Sequence, residues 1–359
     1  QTSFLRMNTD FSEKILSWYK INGRKKLPWK VKDPYKIWIS EVMLQQTQVN
    51  TVIPYYNKFV ASYPDLKSLS KASLDDLMLL WSGLGYYRRI KNIYLASQII
   101  AEKYNNKFPK NFDDILSLPG IGRTTASAIS TFSGYSKRAI LDGNVKRILR
   151  RYFNISNENN SKTEKILWAK SMFVTPATKT SQFIQGMMDV GSLICTRTRP
   201  SCNICPLQPI NCLYKDEVKL TSRSKKINKK INMHLLTIID NINQVYLIKI
   251  ESGKLWENLY SGPFFYSAQN MKLWLKEKKL HDIKEINKFY INHRVTNKDI
   301  KITNYVYFLK NDKKVSFSTE NWYNLSKINV GIPRYFDKAL KVYRSINEKN
   351  YVQKIEKRG

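Results

Sequence analysis

The chain has 359 residues, carries 61 Lys plus Arg against 28 Asp plus Glu for a formal net charge of +33, and is 42 % hydrophobic, with 8 Trp and 15 Phe. That length and apolar content suit two domains with sizeable cores. There is no basic-then-apolar leader and no apolar run long enough to span a bilayer, so the chain is expected to be soluble and intracellular, with no membrane partner. The charge fits either a polyanionic partner or a surplus of Lys, Asn and Ile that places lysines on solvated faces.

The first third reads as helices. Asp33-Pro34 is a helix start with Pro at the first helical position, and Ile37, Trp38, Val42 and Leu44 supply an apolar stripe that carries Glu41 near the helix end. Glu41 stands in the string Ile39-Ser-Glu-Val-Met-Leu-Gln-Gln-Thr-Gln48. After Gly83-Leu-Gly-Tyr-Tyr87, the residues Ile90, Ile93, Ser97 and Ile100 recur at helical spacing. In Leu118-Pro-Gly-Ile-Gly-Arg-Thr-Thr-Ala126 a glycine-punctuated turn precedes a small-residue helix continued by Ile129 and Ser130. Such a turn points backbone N–H groups and a helix N-terminus at one phosphate. Asp142 follows in Leu141-Asp-Gly-Asn-Val-Lys-Arg147. A phosphate grip between two carboxylates suggests acid/base chemistry on nucleic acid.

All four cysteines, Cys195, Cys202, Cys205 and Cys212, fall in one stretch with the spacing C-x6-C-x2-C-x6-C. With none elsewhere, this is a metal or cluster loop rather than a disulfide framework. Four thiolates suit a [4Fe–4S] cluster or a structural zinc. Residues 215–231 are rich in Lys and Arg with few apolar groups, an exposed linker. Strand-like runs follow at His234–Ile239, at Val245–Ile250 across an Asn241–Asn243 turn, at Ile302–Leu309, and at Val315–Phe317 beyond Asn311-Asp312. Helical spacing returns at Met271, Trp274 and Leu275 and at Phe336, Leu340 and Tyr343, so the second domain is expected to be α+β.

Glu41 in its S-E-V-M-L-Q-Q-T-Q string, the L-P-G-I-G-R-T-T-A turn, Asp142 in L-D-G-N-V-K-R and a four-cysteine loop opening at Cys195 together resemble the adenine DNA glycosylases of MutY type, a branch of the helix-hairpin-helix glycosylases. The resemblance implies a mainly α catalytic region over 1–214, with a six-helix barrel and a helical iron–sulfur module. A basic linker over 215–231 and a smaller α+β, MutT-like (Nudix-like) domain over 232–359 would follow. It implies a monomer acting on double-stranded DNA with A:8-oxoguanine or A:G mispairs, with a [4Fe–4S] cluster on the four cysteines. The implied DNA and base contacts are Arg24, Trp29, Gln45, Gln46, Thr47, Leu84, Tyr86, Gly120, Gly122, Arg123, Asp189 and Thr296. Catalysis would rest on Glu41, Asp142, Asn144 and Thr124.

Rupture of an N-glycosidic bond passes through an oxocarbenium-like sugar. The reaction therefore needs an acid for the departing base and a negative charge near C1′. Two carboxylates divide those roles when their surroundings push their pKa values apart. Glu41, near Trp38, Val42 and Met43, is assigned as the acid. Asp142, on the polar Gly143-Asn144 turn, is assigned as the ionised stabiliser, with Asn144 holding it or the attacking water.

The sequence departs from the family pattern at several places. The last cysteine interval is one residue longer, Asp189 stands where Glu is usual, and Lys30 follows Trp29 where Arg or Gln is common. Val295, Thr296 and Asn297 replace a Phe-Ser-His loop within Tyr290–Asn297. The catalytic signature of Nudix hydrolases is absent, so no nucleotide hydrolysis is expected. Two other functions share these features. An endonuclease III-like glycosylase/lyase acting on oxidised pyrimidines requires a Lys where Thr124 stands. A non-catalytic iron–sulfur protein that binds damaged DNA would not need intact Glu41 and Asp142.

Overall fold

The computed structural model describes residues 2–156, 160–208, 212–213, 228–280, 285–295, 297–309 and 321–356. Thr296, most of the 215–231 segment and the Val315–Phe317 run lie outside the described residues. The chain divides into two compact units, residues 1–71 with 91–223, and residues 72–90 with 224–359.

The first unit is helical. It contains α1 (Thr2–Asn22), α2 (Pro34–Leu44), α3 (Val49–Ser62), α4 (Leu66–Ser70), most of α6 (Arg88–Tyr104), α7 (Phe112–Ser117), α8 (Arg123–Phe132), α9 (Gly143–Tyr152), α10 (Ser161–Val174) and α11 (Thr180–Leu193). Asp33 caps α2 by accepting from the Tyr35 N–H at 2.9 Å, and Pro34 opens it, as the sequence indicates. Ile90, Ile93, Ser97 and Ile100 are all buried along α6.

One core joins the N-terminal helix to the segment after residue 140. Phe11 and Ile15 of α1 pack with Ile148 and Leu149 of α9, Leu167 of α10, and Phe183, Ile184 and Met187 of α11. A side chain at Gly186 would meet Ile15 Cγ2 at 2.8 Å, so the close approach of α1 and α11 requires the glycine. Elsewhere α2 packs on α8, and α7 joins α8 through the Leu118–Gly122 turn. Gly120 has a φ of +78° and lies against Asn92. This is a helix-hairpin-helix.

The second unit holds α5 (Leu74–Trp81), eight strands, α12 (Ala268–Glu277) and α13 (Arg334–Glu356) among the described residues. The strands are β1 (Lys229–Asp240), β2 (Gln244–Tyr246), β3 (Ile248–Lys249), β4 (Tyr260–Ser261), β5 (Phe264–Phe265), β6 (Glu285–Val295), β7 (Lys298–Leu309) and β8 (Trp322–Asn324). The main sheet has the order β6-β7-β1-β2-β8, with β5 also paired to β1, while β3 and β4 form a separate pair. β1 and β7 run parallel from Lys229↔Lys298 to Asp240↔Leu309, and β6 is antiparallel to β7.

The expected α+β character is present, with three corrections. Val245–Ile250 is two strands in different sheets, because Leu247 turns its N–H to the Asn321 carbonyl at 2.9 Å. Lys229 and Lys230 belong to β1 rather than to a linker, held in register by Lys298 and Asp299. Tyr290–Val295 is strand rather than loop. Its polar residues alternate onto an exposed face, which hides the strand from a search for apolar runs. Residues 72–90, embedded in the helical part of the sequence, pack with the C-terminal unit: Asp75 accepts from Lys249 Nζ at 2.7 Å and from the Tyr260 hydroxyl at 3.2 Å.

Candidate active site

Glu41 and Asp142 line one open cavity of about 580 Å³ in the helical unit. α2 presents Ile37, Ser40, Glu41 and Leu44 to it, the i, i+3, i+4, i+7 face of the helix. Trp38, Val42 and Met43 face the core instead and are nearly or fully buried. The opposite wall comes from Asp142 and Asn144 at the start of α9 and from Gln185, Met188, Asp189, Ser192 and Leu193 on α11; Arg24, Trp29, Thr47 and Phe132 also line the cavity.

The two carboxylates differ in their surroundings. Burial first, and then the like charge of Asp142, raises Glu41 from 4.5 to about 7, while Lys30 pulls it down. Asp142 caps α9, with Oδ1 accepting the Val145 N–H at 2.7 Å and Oδ2 accepting from Asn144 Nδ2 at 3.4 Å. Burial raises its pKa too, but the Val145 N–H, the charge of Arg147 and two hydrogen bonds from Asn144 act in the opposite direction. Hydrogen bonds to the charged form therefore oppose desolvation at Asp142.

Asn144 is itself held. Arg147 Nη2 donates to Asn144 Oδ1 at 2.7 Å and to the Gly191 carbonyl, and Arg147 Nε donates to the Cys195 carbonyl at 2.7 Å. A Cβ at Gly191 would lie 2.5 Å from Asn144 Cβ, so only glycine leaves room for this arrangement. One helical turn beyond Arg147, Arg151 donates to Cys195 Sγ at 3.1 Å and to the Thr196 carbonyl at 2.7 Å. Sequence reasoning missed both arginines. The signal was their i, i+4 spacing on the helix that Asp142 caps.

Asp189, 2 % exposed, is paired with Arg24: its Oδ1 accepts from Nε at 2.7 Å and its Oδ2 from the Arg24 backbone N–H at 2.9 Å. Lys30 Nζ donates to the Tyr19 hydroxyl at 3.1 Å and to Gln185 Oε1. Burial lowers Lys30 to about 8 against the pull of Asp189. Trp29 is buried at the cavity and packs edge-on against Tyr56.

Gln45, Gln46 and Thr47 form the turn after α2. Gln45 Nε2 reaches Thr125 Oγ1 at 3.4 Å, Gln46 is exposed with a φ of +58°, and Thr47 lines the cavity. A non-glycine residue in the left-handed region stores strain, here one residue before the cavity-lining Thr47. Gly120 and Gly122 lie in the hairpin turn. Arg123 is placed with its guanidinium 4.0 Å from the centre of the Trp168 ring. Thr124 is part-buried in the first turn of α8 and is not among the cavity-lining residues. Lys146 has its Nζ 2.6 Å from Glu164 Oε2. Leu84, 6 % exposed, and Tyr86, 49 % exposed with a φ of +52°, belong to the other compact unit.

None of the four cysteines is in a disulfide, and all are of intermediate exposure. Cys195, Cys205 and Cys212 pack against the α1–α9–α10–α11 core. Burial raises the Cys205 thiol to about 11, and the other three cysteines add to the rise. Among the described residues no group of three or more His, Cys, Asp or Glu is arranged as a metal site. No helix among them is long and apolar enough to cross a membrane.

The sequence profile of the HhH-GPD superfamily base excision DNA repair proteins matches residues 39–171. The adenine DNA glycosylase of Buchnera aphidicola subsp. Acyrthosiphon pisum is 41 % identical over 350 residues, covering 93 % of this chain and 97 % of its own. The chain belongs to the adenine DNA glycosylases. The human adenine DNA glycosylase is 34 % identical over 213 residues, 56 % of this chain and 39 % of its own. A thermostable thymine-DNA glycosylase of known structure superposes with a TM-score of 0.54 at 28 % identity, covering 58 % of this chain and 97 % of its own. Membership thus extends over nearly the whole chain, whereas this solved structure matches little more than half of it.

Proposed function

We propose that this chain is a monofunctional glycosylase of base excision repair that removes adenine mispaired with 8-oxoguanine or guanine in double-stranded DNA. The observation that carries the reading is the pairing of two unlike carboxylates on one cavity, Glu41 with its raised proton affinity and Asp142 with hydrogen bonds from Val145 and Asn144 that oppose the effect of its burial. An extruded adenosine enters the cavity, at a cost of a few kcal/mol for unstacking. Glu41 delivers its proton to adenine N7, the C1′–N9 bond breaks with its electron pair passing to the base, and ionised Asp142 stabilises the oxocarbenium sugar. Water held by Asn144 and Asp142 adds to C1′ and gives up its proton to the Asp142 carboxylate.

Trp29 and the Arg24–Asp189 pair bound the adenine site, and Gln45, Gln46 and Thr47 fill the gap in the stack. Gly120, Gly122 and Arg123 grip the phosphate backbone. Thr124 offers a hydroxyl and no amine, so no Schiff base forms and the abasic strand stays intact.

The four cysteines fit a [4Fe–4S] cluster by donor chemistry: soft thiolates with Arg151 donating to Cys195 Sγ and no competing disulfide. When bound, the cluster would supply a rigid support for the loop that carries Arg197 and Arg199. The helical region over 1–214 would contain this module, and the domain over 232–359 would be MutT-like, reading 8-oxoguanine through Thr296, with Leu84 and Tyr86 contacting the same base. The protein would act as a monomer. A single gel tests the reading: release of adenine from an A:8-oxoguanine duplex with A:T untouched supports it, and strand scission at oxidised pyrimidines with adenine left in place overturns it.

A further inference from the structure

One face of the main sheet is only half covered. At its far end Leu236, Ile238, Tyr307 and Leu309 pack under Met271, Leu275 and Leu280 of the α12 region. Toward the start of β1 and β7 the side chains on the same face, Asn232, Lys301 and the neighbouring Tyr290 of β6 among them, are exposed. Register sets Tyr290 beside Thr303 and His234, and Lys288 beside Tyr305.

This open half is aromatic and basic. Tyr290 is 63 % exposed, with Lys301 Nζ 5.3 Å from its ring centre, and Lys288 Nζ sits 5.0 Å from the Tyr305 ring. His234 stacks on Tyr305 at 5.9 Å and 25°. Asp299 is tied to Arg294 at 2.6 Å and to Asn228 at 3.1 Å, which neutralises the carboxylate at the open end, and Glu285 lies at the covered end beside Tyr307. Tyr290 and Tyr305 are diagonal neighbours across the β6–β7 pair, about 7–8 Å apart.

We propose that this open half-face is a docking platform for an unpaired nucleic-acid strand, with bases against Tyr290 and Tyr305 and phosphates against Lys288 and Lys301. Three features select that occupant. A flat β face cannot enclose a small ligand. Lysines flanking exposed rings match a backbone that carries charge beside π-faces. A duplex would engage the lysines but leave Tyr290 idle, because its bases are stacked inside. The surface goes beyond base excision and uses none of the cavity residues.

The test is fluorescence anisotropy of labelled oligo-dT on the full chain, with excision from an A:G duplex measured in parallel. Tyr290→Ala should weaken oligo-dT binding about five- to hundredfold, the range for loss of one aromatic stacking partner, and Tyr290→Phe should stay within about twofold of wild type. Lys301→Gln should make the salt dependence shallower by about one in log–log slope. All three variants should keep A:G excision, which reports that the chain is folded. Ultraviolet crosslinking of an iodouracil strand should mark the 286–294 peptide. Oligo-dT binding untouched by Tyr290→Ala, or crosslinks confined to residues 24–193, would overturn the proposal. Poly-glutamate that displaces oligo-dT from wild type and Tyr290→Ala alike would assign the face to an acidic protein instead.

Discussion

Glu41→Gln keeps the side-chain volume, removes the acid and separates two effects that are easily confused. Its energetic consequence follows from the raised proton affinity, from 4.5 to about 7, caused by burial and then by Asp142 against the pull of Lys30. Between those values the folded chain holds a proton that the unfolded chain releases, so wild-type stability is fully present below about 4.5, falls as pH rises through 7, and is level above. At about 1.4 kcal/mol per pH unit, the interval between 4.5 and about 7 amounts to about 3 kcal/mol. The Gln variant cannot titrate there. Relative to wild type it should therefore gain about 3 kcal/mol between pH 4.5 and pH 8, whatever constant offset the amide introduces. Urea unfolding of both proteins across that range measures the difference, in which groups not coupled to Glu41 cancel, while Asp142 and Lys30 are coupled to it. In single-turnover excision, the variant should lose at least the ~10² to 10⁴ supplied by a positioned general acid while still binding the mispair. Wild-type turnover should itself decline above about pH 7 as the acid ionises. Parallel stability curves for the two proteins, or excision surviving in the variant, would show that Glu41 is not the buried acid.

Three further perturbations test the surrounding structure. Arg24→Met strands the buried Asp189 carboxylate and should cost about 3 kcal/mol in a denaturation midpoint, most of it recovered by adding Asp189→Leu; an unchanged midpoint would mean that the pair is broken in solution. Gly191→Ala sets helix propensity, worth about 1 kcal/mol in favour of Ala, against a Cβ 2.5 Å from Asn144 Cβ. The clash should win by about 1–3 kcal/mol and slow excision by up to about 10²-fold through displacement of Asn144, so a stabilised, fully active variant would refute the packing argument. Protein purified without oxygen should contain about four irons per chain and lose them, with DNA binding, on Cys202→Ser; stoichiometric zinc without iron would rule out the cluster.

The helical unit was legible because its signals are local. Asp33-Pro34, the Gly120–Gly122 turn and the apolar recurrences of α6 and α8 each announce an element within a few residues, and the two carboxylates stand in strings that resemble one family closely. What stayed hidden depends on distant pairing. β6 reads as polar because one of its faces is open, and the split of Val245–Ile250 depends on the Asn321 carbonyl far along the chain. The packing of α5 with the C-terminal sheet rests on Asp75 meeting Lys249 and Tyr260, charges and hydroxyls that no periodicity marks. In the site, Trp38, Val42 and Met43 were expected to surround Glu41 directly, but their positions on the helical wheel turn them to the core.

Burial alone does not divide the labour between the two acids, since it raises both. Helix polarity does. Glu41 lies in the last turn of α2, where the partial negative charge of the helix C-terminus disfavours an anion, and Asp142 caps the N-terminus of α9, where free N–H groups favour one. Each effect is worth about 0.3–1 kcal/mol at exposed sites and up to about 2 where partly buried, and they act in opposite directions on the two groups. Added to the Val145 and Asn144 hydrogen bonds, which only Asp142 receives, they favour the proton at Glu41 and offset part of the burial that raises Asp142. In the proposed mechanism, acid and stabiliser are thus distinguished by where each residue falls along its own helix. Exchanging the residues, Glu41→Asp with Asp142→Glu, would not exchange the roles, because the proton would still reside at the C-terminal end of α2 and the charge at the N-terminal end of α9.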